Sequence, residues 1–208
     1  MRAVQTWLGE EVDVFPAYFG TGDGRPSLLL LPFKTMVPLV TRLMGSKPRG
    51  ASHGNVADRP PGAIYTGLMT LWATVLAAEK RLKLTVARRA ASRGMLVIAD
   101  RYPQDENISY NDGPLLPRLR GVPRWLRRFE ASSYALAQRL APELVIKLEA
   151  PSDVLALREP NMDPDVIAQR VVALRQLCFP NSRVVSIDAT QPLDEVLRQV
   201  KREIWSRL

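Results

Sequence analysis

Apolar and polar positions change period several times along the chain, and each change marks an element. From Ile64 to Arg93, the residues Leu68, Leu71, Trp72, Val75, Leu76, Leu82 and Val86 recur at helical spacing, with Glu79, Lys80, Arg88 and Arg89 between them. That spacing predicts one long helix. Gly94 stands where a left-handed cap is expected, and Met95 to Ala99 is an unbroken apolar run, the pattern of a strand covered on both faces. Earlier, residues 12 to 19 alternate and are rich in β-formers, predicting a strand that ends in Gly20-Thr21-Gly22-Asp23-Gly24. Those glycines match neither G-x-G-x-x-G nor G-x-x-x-x-G-K-[ST], so a turn is the plainer reading and an anion-binding backbone nest the alternative. Val4, Trp7 and Leu8 are spaced like the last turns of a helix.

Residues 34 to 62, with Lys47-Pro48-Arg49-Gly50 and Arg59-Pro60-Pro61-Gly62, are dense in breakers and read as a mobile excursion that holds a solvated His53. Beyond Asp100 a polar segment leads to a helix over about 125–140, and Leu144 to Glu149 reads as a second buried strand. Ala150-Pro151-Ser152-Asp153 is expected to cap a short helix through Leu155 and Leu157 to Arg158, and Asp163-Pro164 to start another. Val166, Ile167, Val171, Leu174 and Leu177 lie on one face of that helix, and a strand at Val184–Asp188 and an amphipathic helix from Pro192 to about Arg207 close the chain. Strands alternating with helices predict an α/β fold: a three-layer parallel sheet with helices on both faces and right-handed crossovers.

At 208 residues, 46% hydrophobic and 24% charged, the composition is that of one packed domain, expected to span residues 1–208. The longest apolar stretch, Leu28 to Leu31 with Pro32 and Phe33, is far short of the roughly 20 residues that cross a bilayer, so no membrane partner is expected. Acidic residues at Glu10, Glu11 and Asp13, with no basic segment leading into an apolar one, do not read as a secretory signal, and a cytoplasmic protein is expected. One cysteine, Cys178, and one histidine, His53, leave zinc sites and Ser-His or Cys-His catalysis without material. A net charge of +8, carried mostly by arginine, points to anionic partners. Scattered arginines such as Arg25, Arg49, Arg183 and Arg207 read as solvated surface, whereas Arg118, Arg120, Arg124, Arg127 and Arg128 form a denser group.

The candidate chemistry sits where the apolar run stops, at Asp100-Arg101-Tyr102-Pro103. Open α/β sheets place ligands just past the carboxyl ends of their strands. A carboxylate there can hold Mg²⁺, and an adjacent guanidinium can clamp a phosphoryl oxygen. An ion pair stapling the strand end to a neighbouring helix is the structural alternative.

Gly94 to Pro103 (Gly-Met-Leu-Val-Ile-Ala-Asp-Arg-Tyr-Pro) resembles the G-x-x-V-x-x-D-R-Y segment of thymidylate kinases, within the P-loop nucleoside monophosphate kinases. Leu140 to Pro151 is similar to that family's A-P-D-L-x-x-x-L-x-x-P stretch, and Ile187-Asp188-Ala189 with Gln191-Pro192 to its last strand and helix start. Tyr18 to Gly24 looks closest to a thymidylate-kinase-like branch often associated with polysaccharide gene clusters. The resemblance implies that Arg101 contacts the acceptor phosphate, with Tyr102 in the substrate site, and that Asp100 positions Mg²⁺ or the acceptor. It further implies that Arg81 is a second phosphate clamp, that Arg158 in a lid-like segment at 158–165 reaches the transferred group, and that Ala189 and Gln191 lie near the adenine of ATP. A solvated helix face is the plainer reading of Arg81, and a local pair with Glu159 that of Arg158. ATP, Mg²⁺, a nucleoside monophosphate and a second copy of the chain are the implied cofactors and partners.

No G-x-x-x-x-G-K-[ST] occurs in the 208 residues. By the resemblance, a first strand and that loop stand upstream of Met1 in a longer form, the strand lying between those at 95–99 and 144–149. Three functions follow: a monophosphate kinase, with thymidylate the expected acceptor, when a longer form supplies the loop; an inactive nucleotide-binding or regulatory relative; and a nucleic-acid-binding module built on the basic group at 118–128. The third lacks groove-reading or aromatic elements beyond Trp125, so nucleic acid is the least expected partner.

Overall fold

The computed structural model describes residues 2–10, 12–20, 63–106 and 113–208; the glycines beyond Gly20, the expected excursion and His53 lie outside them. In chain order the elements are α1 (Arg2–Leu8), β1 (Val14–Tyr18), α2 (Ala63–Ala91), β2 (Leu96–Asp100), a 3₁₀ turn (Leu116–Arg118), α3 (Arg124–Arg139), β3 (Leu144–Glu149), α4 (Ser152–Arg158), α5 (Pro164–Gln176), β4 (Arg183–Asp188) and α6 (Leu193–Trp205). The protein is mixed α/β with parallel strands, in two compact units: Glu11–Leu140, and Ala141–Leu208 together with Met1–Glu10.

In the first unit β1 pairs with β2 in parallel, Val14 opposite Leu96 through Tyr18 opposite Asp100. Leu96 donates its N–H to the Asp13 carbonyl and Phe19 to that of Asp100, so odd-numbered residues of β1 face β2. Pro16 therefore points its missing N–H away from the ladder, and the outer edge of β1 is blunted. α2 ends where Gly94, at φ +85°, takes the left-handed conformation that the sequence predicts for it. Against the strands pack Leu84 and Ala87 of α2 and Ala137 of α3, closing on Ala17 and Phe19. The expectation that β2 is buried on both faces is corrected, since all five of its residues are half-buried.

A second contact between α2 and α3 is polar. Glu130, 3% exposed, accepts the N–H groups of Leu115 and Leu116 at 2.9 Å each and so holds the chain entering the 3₁₀ turn. Burial raises its carboxyl above the ordinary range, against the opposing pull of those two N–H groups and of the Lys80 charge. Lys80, also buried, donates to the Tyr134 hydroxyl at 2.8 Å.

In the second unit β3 pairs with β4 in parallel, Leu144 opposite Arg183 through Glu149 opposite Asp188. The expected buried strand is inverted at its centre: Leu148 is 50% exposed whereas Lys147 is buried. Lys147 is satisfied there because its ammonium donates to the Leu177 and Arg175 carbonyls, the orphan acceptors at the negative end of α5. Asp163 caps α5 as expected, accepting the Asp165 N–H at 2.9 Å. The expected side-chain cap of α4 is absent, because Pro151 occupies the N-cap position with no side-chain acceptor. α1 meets α6 through Trp7 and Trp205, with ring centroids 6.0 Å apart. Among the described residues the strands form two parallel pairs, and the three-layer sheet expected from the sequence does not appear as one continuous ladder.

Candidate functional site

β1 and β2 end side by side, which puts Tyr18 opposite Asp100 at the carboxyl edge of the pair. Beyond that edge Phe19 and Tyr102 clamp the two chains. Phe19 is 2% exposed and meets the Tyr102 ring edge-on at 5.6 Å. The Tyr102 hydroxyl shares its one proton between the carbonyls of Leu140, just past α3, and Ala137 of α3, at 2.6 and 2.9 Å. Burial pushes that phenol up to about 12, so it stays protonated and a donor.

Between these anchors lies Arg101, exposed, with φ +57°, the one described non-glycine residue in the left-handed region. That conformation costs an L-residue roughly 1–2 kcal/mol and persists only where its surroundings impose it. Gly20 is part of those surroundings. A Cβ on Gly20 would stand 2.5 Å from the Tyr18 hydroxyl oxygen and 2.7 Å from Cδ of Arg101, so the phenol and the arginine stem converge over a residue where a methyl fits only if one of them shifts. Asp100 is half-buried, and its carboxylate has no hydrogen-bond partner among the described residues.

α2 contributes a cation, though not the expected one. Arg81 reaches across to α3, where it donates to Ser132 Oγ at 3.1 Å. Lys83, two residues on and therefore about 200° around the helix, lies 5.9 Å from the centroid of the Tyr18 ring and 2.8 Å from Oε1 of the buried Glu79. The edge thus collects Tyr18, Gly20, Asp100 and Arg101, with Lys83 against Tyr18. The sequence reading singles out neither Tyr18 nor Lys83 and places Gly20 only in a turn or anion nest; nothing local in the sequence says which side of α2 faces Tyr18.

The remaining expected residues fall in the second unit. Arg158 ends α4, exposed, and forms no salt bridge with Glu159. Ala189 donates its N–H to the Glu149 carbonyl at 2.8 Å, and Gln191 accepts from Gln199 at 2.8 Å. Asp188 fixes the turn between them by accepting from both the Thr190 hydroxyl and N–H, which together hold its carboxyl below the ordinary range.

Among the described residues no group of three or more His, Cys, Asp or Glu is arranged to hold a metal. A lone carboxylate such as Asp100 suits Mg²⁺ only where phosphate and water supply the other ligands. No described helix is long and apolar enough to cross a membrane.

No protein-family model matches the chain. It is 29% identical over 195 residues to the uncharacterized ATP-binding protein YghS of Escherichia coli K12, covering 92% of this chain and 80% of that protein. It is 28% identical over 142 residues to the uncharacterized ATP-binding protein YghR of the same strain, covering 64% of this chain. The match spans only 56% of the length of YghR.

Proposed function

We propose that this protein binds nucleotides in the manner of a nucleoside monophosphate kinase, with the acceptor phosphate held at the edge of β1 and β2. The observation that carries the reading is the Asp100-Arg101 pair at the carboxyl end of a parallel strand, its arginine held in a strained backbone over Gly20. A guanidinium fork presented this way suits a phosphoryl group bidentately. The names of the two Escherichia coli relatives support ATP as a ligand.

In this reading Arg101 binds and orients the acceptor phosphate, and Asp100 accepts from an acceptor hydroxyl or ligates Mg²⁺. That ion, when present with the nucleotide, would neutralise charge on the transferred group. Thymidylate is the first acceptor to try. Tyr102 acts by fixing the segment that carries Arg101, its own hydroxyl being engaged by α3. Arg81 belongs to the same phosphate site only if it leaves Ser132.

A second reading, nucleotide binding without turnover, is favoured by one observation: no G-x-x-x-x-G-K-[ST] stands in the 208 residues to cradle a triphosphate. Calorimetry with thymidylate and other nucleoside monophosphates tests the site itself. Arg101→Ala is expected to weaken binding by roughly 1.5–3 kcal/mol with the fold intact, and Arg101→Lys to restore part of it. Unchanged affinity in folded Arg101→Ala overturns the assignment.

A further inference from the structure

The first unit carries a feature that the nucleotide reading does not use. From Gly113 to Phe129 the chain holds five arginines and no acidic residue. Arg118, Arg120, Arg124, Arg127 and Arg128 are all exposed. Two are committed, since Arg127 donates to the Leu119 carbonyl at 2.7 Å and Arg118 has its own partner. Arg120, Arg124 and Arg128 have no hydrogen-bond or salt-bridge partner among the described residues. The same stretch exposes Trp125, at 68%.

The placement runs against local stability. Arg124 is the first residue of α3 and Arg127 and Arg128 follow within its opening turns, with no acidic residue there and no side-chain cap. Cations at the positive end of a helix are unfavourable, and an exposed indole forgoes burial. An anionic surface that takes the arginines and accepts the indole removes both penalties at once.

Geometry selects which surface. α3 turns Glu130, Ser133, Tyr134 and Ala137 inward. By helical spacing, Arg124, Trp125, Arg128, Ala131, Ala135 and Arg139 share the outward side, and the only acidic residue of the helix, Glu130, is the buried one. The exposed side therefore combines one aromatic, small alanines and arginines along a single helix, with the Asp105 carboxylate meeting it at Gln138 near the C-terminal end. Single-stranded nucleic acid calls for several stacking platforms along a charged groove, and only one aromatic is offered here. A bilayer surface calls for cations at the phosphate level and an amphipathic ring at the interface. We propose that the outer side of α3, with the turn before it, docks on an anionic lipid surface as a reversible peripheral contact, Trp125 entering the headgroup layer.

Cosedimentation of the whole chain tests this with vesicles of phosphatidylcholine alone, vesicles containing one third phosphatidylglycerol, and an oligothymidylate as the competing polyanion. Binding is expected to the anionic vesicles, not to the zwitterionic ones, and to weaken with salt. Each arginine near such a surface contributes roughly fivefold in partitioning, so Arg120→Gln, Arg124→Gln and Arg128→Gln together are expected to lower it about a hundredfold. Brominated lipid is expected to quench tryptophan fluorescence in the native chain and much less in Trp125→Phe, which keeps the test decisive even if the triple variant fails to fold. Equal binding to both vesicle types, binding to neither, tighter binding to the oligothymidylate than to the anionic vesicles, or quenching unchanged in Trp125→Phe overturns the proposal.

Discussion

Arg101 holds a backbone conformation that glycine adopts at no steric cost, at the position proposed to bind the acceptor phosphate. The two demands separate in variants. Arg101→Ala removes the guanidinium and keeps the strained φ, whereas Arg101→Gly removes both. Arg101→Gly is therefore expected to be about 1 kcal/mol more stable than Arg101→Ala by chemical denaturation, with both equally poor in monophosphate binding. Equal stability of the two would show that the strain is not stored there. Gly20→Ala approaches the same point from the other side: its methyl must displace the Tyr18 phenol or the Arg101 stem. Weakened monophosphate affinity in calorimetry, larger than the accompanying loss of thermal stability explains, is the expected result.

Tyr102 joins two elements, tying the end of β2 to the last carbonyls of α3. Leu140 lies just past the last turn of α3, where carbonyls lack intrahelical donors, so Tyr102→Phe is expected to cost about 0.5–1.5 kcal/mol. The hydroxyl also makes the contact pH-dependent. Its folded value of about 12 lies above the ordinary 10.0. The stabilisation is therefore complete below pH 10.0 and disappears as pH rises through about 12. The stability difference between native protein and Tyr102→Phe should accordingly shrink across that window, as followed by denaturant unfolding at stepped alkaline pH. A constant difference would mean that the phenol is not desolvated.

For the whole molecule, what matters is how each strand pair is completed. Pro16 blunts the outer edge of β1, but the far edge of the apolar β2 carries no strand among the described residues. Unpaired apolar edges lower stability and template aggregation. The chain is therefore expected to aggregate as it unfolds on heating, the more so at higher protein concentration, as followed by light scattering during thermal unfolding. A reversible transition independent of concentration would contradict this.

Periodicity and turn chemistry determined most elements on their own. The spacing from Ile64 to Arg93 and the glycine after it located α2 and its cap, because both signals are local and strong. The apolar runs located β2 and β3, and Asp163-Pro164 located the start of α5. Asp100-Arg101 stands out as a candidate because charge ends an apolar run. What only the tertiary structure decided were properties of neighbours. Lys147 lies inside and Leu148 outside because a helix end happens to offer carbonyls to the lysine. Arg81 and Lys83 are equivalent cations in the sequence, and the rotation of α2 against β1 and α3 alone turns one to Ser132 and brings the other to Tyr18. Gly20 reads as an ordinary turn residue until Tyr18 and Arg101 are seen to meet above it, a contact between segments some eighty residues apart that no local pattern encodes.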